Sequence, residues 1–393
     1  MNHTLRKIAL VLTLALLGYC GEVAFAASVA LSEVSLFAIN VGKGDALLLR
    51  VGAWTGLIDA GKARAMGRVV RSLEMLGVNH LDAVFLTHTD KDHAGGLEWL
   101  ANSNVAVDAW YASAMFIGVK EAKHPAVKAA AARDQDVRWL HRGDELYLDG
   151  GAILKVLAPA SLFEDKDNNN SLVMMLESGQ GRILLAGDME LPEEADLLSY
   201  GDDLACTVLK VANHADDDTT SEIFAQAASA QIAIVSTDSM EKPGTPDPDV
   251  ICRLEGAGSQ VVVTEDAELG WMVSLTDGVA TVQAVDIDAL SPSGVYIVEV
   301  DALDDRISLG NYSDSNINLG GFYLYSSRGA EVFTFPDSAS IAPDQTMIIG
   351  TNSTSGGLDL LWDEEKVVHK KKSDIITLFD PYGRFVDSRD NGK

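Results

Sequence analysis

Positive charge is scarce in this 393-residue chain: 30 Lys and Arg stand against 58 Asp and Glu, a formal net charge of −28. So acidic a surface repels nucleic acid unless a local basic patch or bound cations intervene. Cysteine is scarcer still, at Cys20, Cys206 and Cys252. Long apolar runs are missing after the first, "IALVLTLALLG", which is too short to span a membrane comfortably. That run follows Arg6 and Lys7 and precedes "AFAA", where Ala24 and Ala26 have the A-x-A spacing of a cleavage site. Residues 1–26 therefore read as a secretory signal peptide. A lipoprotein-type anchor at Cys20 is the rival reading, but Tyr19 is bulky where such signals prefer a small residue. Export implies a secreted or periplasmic protein with no transmembrane helix in the mature chain. Cys206 and Cys252 then either pair or stay as inert thiols, and sequence does not decide between these.

What is present is apolar residue, 47% of the chain, enough for the cores of two or three domains. Over residues 29–285 strands and helices mix. "VSLFAIN", "DALLLRV", "TGLIDAG" and "LDAVFLT" read as strands, followed by "AILKVLAP", "SLVMMLES", "RILLAGD", "ACTVLKVAN", "QIAIVST" and "QVVVTED". "KARAMGRVVRSLEMLG" reads as a helix, with Met66, Val69, Val70, Leu73 and Leu76 on one face and Gly77 as its stop. "TSEIFAQAA" and "PDVICRLEGAG" read as further helices. Near Ser291-Pro292-Ser293-Gly294 the character changes. Residues 293–393 hold short alternating strands, Gly, Asn, Asp and Pro turns and no useful amphipathic helix, the signature of an antiparallel β-sandwich.

The chemistry concentrates in "LTHTDKDHAGGL", delivered by the end of the strand "LDAVFLT". Catalytic loops commonly sit there. His88, Asp90, Asp92 and His93 are good ligands for zinc, manganese or iron if the turn folds back on itself. Taken alone, the same residues also suit a solvated loop with Asp92 as the cap of a following helix.

The wider pattern resembles the metallo-β-lactamase superfamily, and within it the hydrolase-like domain of the ComEC branch of DNA-uptake proteins. The resemblance runs over about residues 34–275. It rests on "INVGKGDALLL", "GLIDAG", "THTDKDHAGGL", "HRGDEL", "NNNSLVMML", "RILLAGD" and "LKVANHADDDTTSEIF", in that order. It implies an α/β fold, an αββα sandwich with the metal site along one edge. It also implies a divalent metal cofactor, Zn or Mn, one or two ions per chain. His88 and Asp90 would hold one ion, Asp92 and His93 the other, with Asp188 between them and His214 as a later ligand. Asp92 and Asp188 are the positions on which catalysis is expected to depend. Asp59 matches an acidic position that orients loops beneath the site. Asn170 stands where other branches carry a ligand; it is expected either to meet substrate or simply to build a turn. Asp90, where other branches have a second His, marks the ComEC-like branch and makes the site harder, toward manganese or magnesium.

Two departures bear on function. The branch usually has a double His where this chain has Asn213-His214, and a late His-Pro-His-Pro where this chain has "GTPDPDV". Thr245 and Asp247 stand where those histidines would be, and Asp247 is an oxygen substitute at best. The leading expectation is a secreted metal-dependent phosphodiesterase or nuclease acting on extracellular DNA through a water made acidic by the cation. The alternatives are a non-catalytic binding or envelope-organising protein with a degenerate site, and a hydrolase of another phosphoester.

From Ser293 onward the chain resembles the lamin tail domain, an immunoglobulin-like all-β sandwich. The carrying residues are "INLGGFYL", "FPDSASIAPDQ" and "DIITLFDPYGRFVDS". This resemblance implies binding or attachment to an envelope component, a polymer or nucleic acid. The small basic cluster Lys366, Lys370, Lys371 and Lys372 reads mainly as a solvated loop.

Overall fold

The computed structural model describes residues 34–285 and 294–392, apart from 104, 165–166, 314, 330 and 381–384. The signal-peptide reading, Cys20 and the boundary near residue 290 lie outside the described residues.

Two sheets stack face to face in the first unit. One has eight strands, ordered Val279–Val285, Gly270–Thr276, Val34–Ile39, Leu47–Val51, Trp54–Ile58, Ala83–Leu86, Trp110–Ser113 and Val137–Leu140. The other has seven, ordered Gln260–Val263, Ile232–Val235, Val208–Lys210, Gly181–Leu185, Val173–Ser178, Ile153–Ala158 and Glu145–Tyr147. Period-two alternation explains the layering. In Val34–Ile39, Leu36 and Ala38 enter the core shared with Leu154, Leu176, Ile183 and Val208 of the second sheet. Phe37 and Ile39 point the other way, to the helices Met66–Met75, Leu97–Asn102 and Pro125–Ala131. The second sheet is covered likewise by Leu191–Ser199, Glu222–Ala228 and Pro248–Gly256 through Leu197, Phe224, Val250 and Leu254. Strands buried on both faces carry near-continuous apolar runs, as parallel strands do. The result is an αββα sandwich.

In each sheet the interior strands that lead to the site are parallel: Trp54–Ile58, Ala83–Leu86 and Trp110–Ser113 in one, Gly181–Leu185, Val208–Lys210 and Ile232–Val235 in the other. Their C-terminal ends lie along one edge of the sandwich, where loops are free to carry chemistry.

The C-terminal unit is all-β among its described residues. Val295–Asp301, Arg306–Asn311, Thr346–Gly350 and Leu360–Leu361 form one sheet; Val332–Thr334, Tyr323–Ser326, Ile375–Phe379 and Phe385–Asp390 form the other. Ile297, Leu309 and Ile349 pack against Leu324, Ile376 and Leu378 between them, an immunoglobulin-like sandwich.

Several elements depart from expectation. Trp110–Ser113, Val137–Leu140, Gly270–Thr276 and Val279–Val285 are strands that patterning passed over. The expected long helix divides into a 3₁₀ turn, Ala63–Ala65, and the α-helix Met66–Met75. Cys206 and Cys252 do not pair; both are free thiols.

One core histidine carries a pH consequence. His124 is 1% exposed, packed between Phe116 and Trp139, and neither ring nitrogen has a hydrogen-bond partner among the described residues. Burial disfavours the charged imidazolium and pushes its pKa down to about 4. The unfolded chain titrates near ~6.5, so the unfolded state takes up a proton first as pH falls. Stability is therefore retained above that value and lost progressively toward pH ~4, by about 3 kcal/mol in all. His124→Phe keeps the ring packing and removes the titration. Urea midpoints measured at pH 7.5 and 4.5 should fall further in the wild type than in this variant. An equal fall in both would contradict the assignment.

Candidate metal centre

Each chemically important side chain follows a parallel strand end by a few residues. Asp59 follows Trp54–Ile58, His88 to His93 follow Ala83–Leu86, Asp188 follows Gly181–Leu185 and His214 follows Val208–Lys210. Left-handed backbone makes two of these turns. Asp59 has φ 57°, and Asn213, His214 and Ala215 have φ 38°, 56° and 58°. Non-glycine residues there cost on the order of 1–3 kcal/mol each, so the surroundings must hold them. They do: the Asn213 side-chain amide donates to Asp218 Oδ1 at 3.0 Å, and the Asp247 amide donates to the Ala215 carbonyl at 2.7 Å.

Three histidines converge. His88, His93 and His214 are fully buried, and each has Nδ1 engaged by another group. His93 Nδ1 lies 2.7 Å from Asp59 Oδ2, His214 Nδ1 lies 2.7 Å from the Ser236 carbonyl, and His88 Nδ1 lies 3.1 Å from Thr87 Oγ1. The Nε2 atoms are thereby left to face Asp188 Oδ2, at 3.1 Å from His93, 3.0 Å from His214 and 3.8 Å from His88. A histidine fixed through one nitrogen and aimed by the other is the usual arrangement of a metal ligand. At this convergence two buried atoms, His88 Nε2 and Asp188 Oδ1, have no hydrogen-bond partner among the described residues. Unpaired buried polar atoms are costly, and a cation between them would satisfy both.

Among the described residues four triplets are compact enough to hold an ion: His80 with Asp82 and Asp108 elsewhere, Asp45 with Asp59 and His93 under the loop, and two at the convergence itself, His88 with His93 and Asp188, and Asp92 with His93 and His214. Both of the last two use His93, whose Nδ1 is committed to Asp59. The cluster is nitrogen-rich with carboxylates and no thiolate, which suits zinc or manganese.

Electrostatics follow from proximity. Burial alone would push His93 down, but Asp188 and Asp59 outweigh it and hold the imidazole well above its ordinary value. Burial alone would raise Asp188, but His214 and His93 hold it well below. Asp92 is likewise brought to about 2 by His93, His214 and Lys43 against burial. His88 is lowered, by burial first and by His93 second.

The remaining expected residues are placed as follows. Asp59 is fully buried and accepts from the Thr87 amide at 2.8 Å and the Thr87 hydroxyl at 2.7 Å, as well as meeting His93. Asp90 is set apart from both triplets. It stands before the short helix Lys91–Ala94, its side chain is 52% exposed, and Oδ2 lies 3.9 Å from His88 Nε2. Asp92, expected as a helix cap on the plainest reading, lies instead inside that helix's first turn. Asn170 is buried, with its amide donating to the Phe163 carbonyl at 2.8 Å and accepting from the Phe163 amide at 2.9 Å, a loop brace.

Asp247 stands outside both triplets: its carboxylate caps the helix Pro248–Gly256, accepting from the Asp249 amide at 2.8 Å. Thr245 lies 2.8 Å from the Thr237 hydroxyl and donates to the Lys242 carbonyl. Two residues that patterning did not single out also reach this site. Lys43 pairs with Asp92 at 2.6 Å, and fully buried Lys210 pairs with Asp45 at 2.8 Å. "VGKGD" and "LKVAN" contained them, but a lysine near a carboxylate-rich metal loop gives no signal until distances are known.

Comparison with known proteins agrees with this geometry. Residues 40–252, more than half the chain, match the family model described as the metallo-beta-lactamase superfamily, and residues 289–393 match the lamin tail domain. ComE operon protein 3 of Bacillus subtilis is 26% identical over 252 residues, 60% of this chain and 32% of that protein. Competence protein ComA of Neisseria gonorrhoeae is 27% identical over 236 residues, 60% of this chain and 31% of that protein. The chain thus spans about a third of the length of these curated relatives. The solved metallo-beta-lactamase fold protein YhfI from Bacillus subtilis aligns over 61% of this chain and 98% of its own, at 12% identity and a TM-score of 0.42.

If the Asp59–His93 bond aims the imidazole, Asp59→Asn should weaken zinc or manganese binding about 10- to 100-fold. Calorimetric titration of the metal-free protein reads this directly. Unchanged affinity in a folded variant would remove Asp59 from the site.

Proposed function

This chain belongs to the metallo-beta-lactamase superfamily, and from that premise we propose that it is an exported metal-dependent phosphodiesterase that cleaves extracellular DNA. The observation that carries the reading is the convergence of three oriented Nε2 atoms on Asp188 Oδ2, with Asp92 beside them. His88, His93, His214, Asp188 and Asp92 would hold zinc or manganese, one or two ions. A divalent ion there supplies Lewis acidity toward a phosphoryl oxygen and lowers the pKa of water.

The chain's own residues do the rest. Asp59 and the Ser236 carbonyl fix which imidazole nitrogens face the ion. Asp188, held ionised by His214 and His93, can accept and stabilise positive charge at the reacting centre. The buried walls keep this charge in a low-dielectric setting, where its effect on a bound phosphoryl group is larger than in water. With a divalent ion held there the local field would be positive, which would let so acidic a protein act on a polyanion.

DNA is favoured as substrate by the similarity to proteins named for competence, which extends over 60% of this chain. Export is favoured by the signal-like first 26 residues, and no helix among the described residues is long and apolar enough to cross a membrane. The C-terminal sandwich would attach the enzyme to an envelope component or polymer.

A second reading has its own support. Asn213, Thr245 and Asp247 all have structural partners, which supports a site with fewer ligands than the branch usually carries. A degenerate domain that only binds would look the same there, and so would a hydrolase of another phosphoester, such as a phosphocholine-bearing polymer.

The mature chain should retain at least one metal by elemental analysis and hydrolyse a generic phosphodiester and DNA with added manganese or zinc. Asp92→Ala should lower turnover by about 10²-fold or more, as expected when a group that organises charge in the reacting centre is lost. Less than one ion per chain, with turnover no higher than this control, would leave only the binding reading.

A further inference from the structure

The Asp92 side of the site already carries a cation. Lys43 Nζ lies 2.6 Å from Asp92 Oδ2, the same carboxylate oxygen that lies 3.6 Å from His214 Nε2. The placement is built in. Lys43 sits between two glycines in the turn after Val34–Ile39, and both have positive φ, Gly42 at 74° and Gly44 at 155°. A Cβ on Gly44 would come within 2.4 Å of the Asp92 carbonyl, so only glycine lets this turn lie on the metal loop. The Asp45 amide then donates to that carbonyl at 3.1 Å, and the Gly61 amide donates to the Asp45 carbonyl at 2.7 Å. Asp45 is neutralised separately, by Lys210 at 2.8 Å from beneath. Lys43 is therefore free to serve Asp92.

The donor set supports the same conclusion. His93 offers one nitrogen to two competing triplets. Asn213, Thr245 and Asp247, the residues best placed in sequence to complete a second ligand set, are spent on Asp218, Thr237 and a helix terminus. His88 and His93 with Asp188 make one compact set, and the other, Asp92 with His93 and His214, has an ammonium already on its carboxylate. The Lys43 and Asp92 side chains are 21% and 16% exposed, whereas the histidines are fully buried. Lys43 is thus on the solvent-facing side of the histidines, within reach of an anion from solution.

Building on the metal-site reading above, we propose that Lys43 replaces a second metal ion: the centre carries one divalent cation, and the Lys43 ammonium supplies the second positive charge and binds the substrate phosphate. An ammonium donates three hydrogen bonds and acts on phosphate as a point charge. It cannot acidify water as a metal does, so it serves binding and charge neutralisation, and the single ion serves the water.

The test is Mn²⁺ titration of metal-free full-length protein as wild type, Lys43→Gln and Lys43→Arg, each checked for folding by circular dichroism. Wild type and Lys43→Arg should bind one ion tightly. Lys43→Gln, with Asp92 released, should take a second ion about tenfold more tightly than wild type does, or better. Inorganic phosphate, titrated into singly loaded protein, should bind Lys43→Gln about tenfold more weakly than wild type. Two tight ions in the wild type or in Lys43→Arg, one ion in both wild type and Lys43→Gln, or unchanged phosphate affinity would each overturn the assignment. No ion in any of the three chains would instead remove the metal reading, and this proposal with it.

Discussion

The contact on which the site depends is between two buried side chains, Asp59 and His93. Asp59 stands at the end of one parallel strand in a left-handed conformation, and takes three hydrogen bonds from the loop that follows the neighbouring strand. Two of these come from Thr87, which fixes where the loop begins. The third turns His93 so that its other nitrogen faces Asp188 across the gap between the two sheets. One carboxylate thus sets loop path, ring orientation and ligand atom together. His214 reaches the same point from the second sheet by a parallel device, with the Ser236 carbonyl in the role of Asp59. The αββα frame brings these two loop systems to one edge because both arise from C-terminal ends of parallel strands.

Charge is handled by pairing, one carboxylate at a time. An acidic chain that gathers Asp45, Asp59, Asp92 and Asp188 in one buried region faces mutual repulsion and loss of hydration. Asp45 has buried Lys210, Asp59 has His93 and Thr87, Asp188 has His93 and His214, and Asp92 has Lys43. A cation entering the cluster therefore joins a network already close to balance. This favours a small number of ions and explains why a lysine at the rim matters more here than one of 30 basic residues ordinarily would.

Much of this was legible in sequence, and the exceptions have physical reasons. The strands with continuous apolar runs, such as "LDAVFLT" and "RILLAGD", were readable because burial on both faces leaves no polar interruptions. Val137–Leu140 and Val279–Val285 were not, because sheet-edge strands alternate with exposed residues and imitate loops. The convergence of His88, His93, Asp188 and His214 was approachable through the resemblance, whose motifs keep the family's order along the chain. The fate of Asp247 was not. An aspartate before a proline suits a helix cap and a metal ligand equally well, and only distances show its two amide partners. Asp90 is a similar case, since its outward turn follows from where a four-residue helix happens to begin.

The C-terminal sandwich meets the hydrolase fold at a point that matters for the site. Phe379 is 1% exposed, stacks on Tyr323 with ring centroids 5.0 Å apart, and lies parallel to Trp99 at 6.1 Å. It belongs to the same apolar cluster as Val69, Leu73, Leu97 and Leu100 of the outer helices. Trp99 lies on the helix Leu97–Asn102, which begins just after Gly95 and Gly96, and a Cβ on Gly96 would come within 2.3 Å of the Ala60 carbonyl oxygen. Aromatic burial of this kind contributes on the order of 0.5–1.5 kcal/mol per pair beyond area alone. The C-terminal sandwich is therefore packed against the first helix beyond the metal loop. The two folds thus share one apolar cluster beside the loop that carries Asp92 and His93, and the buried Asp59, held by Thr87 as well as His93, fixes that loop from its other side.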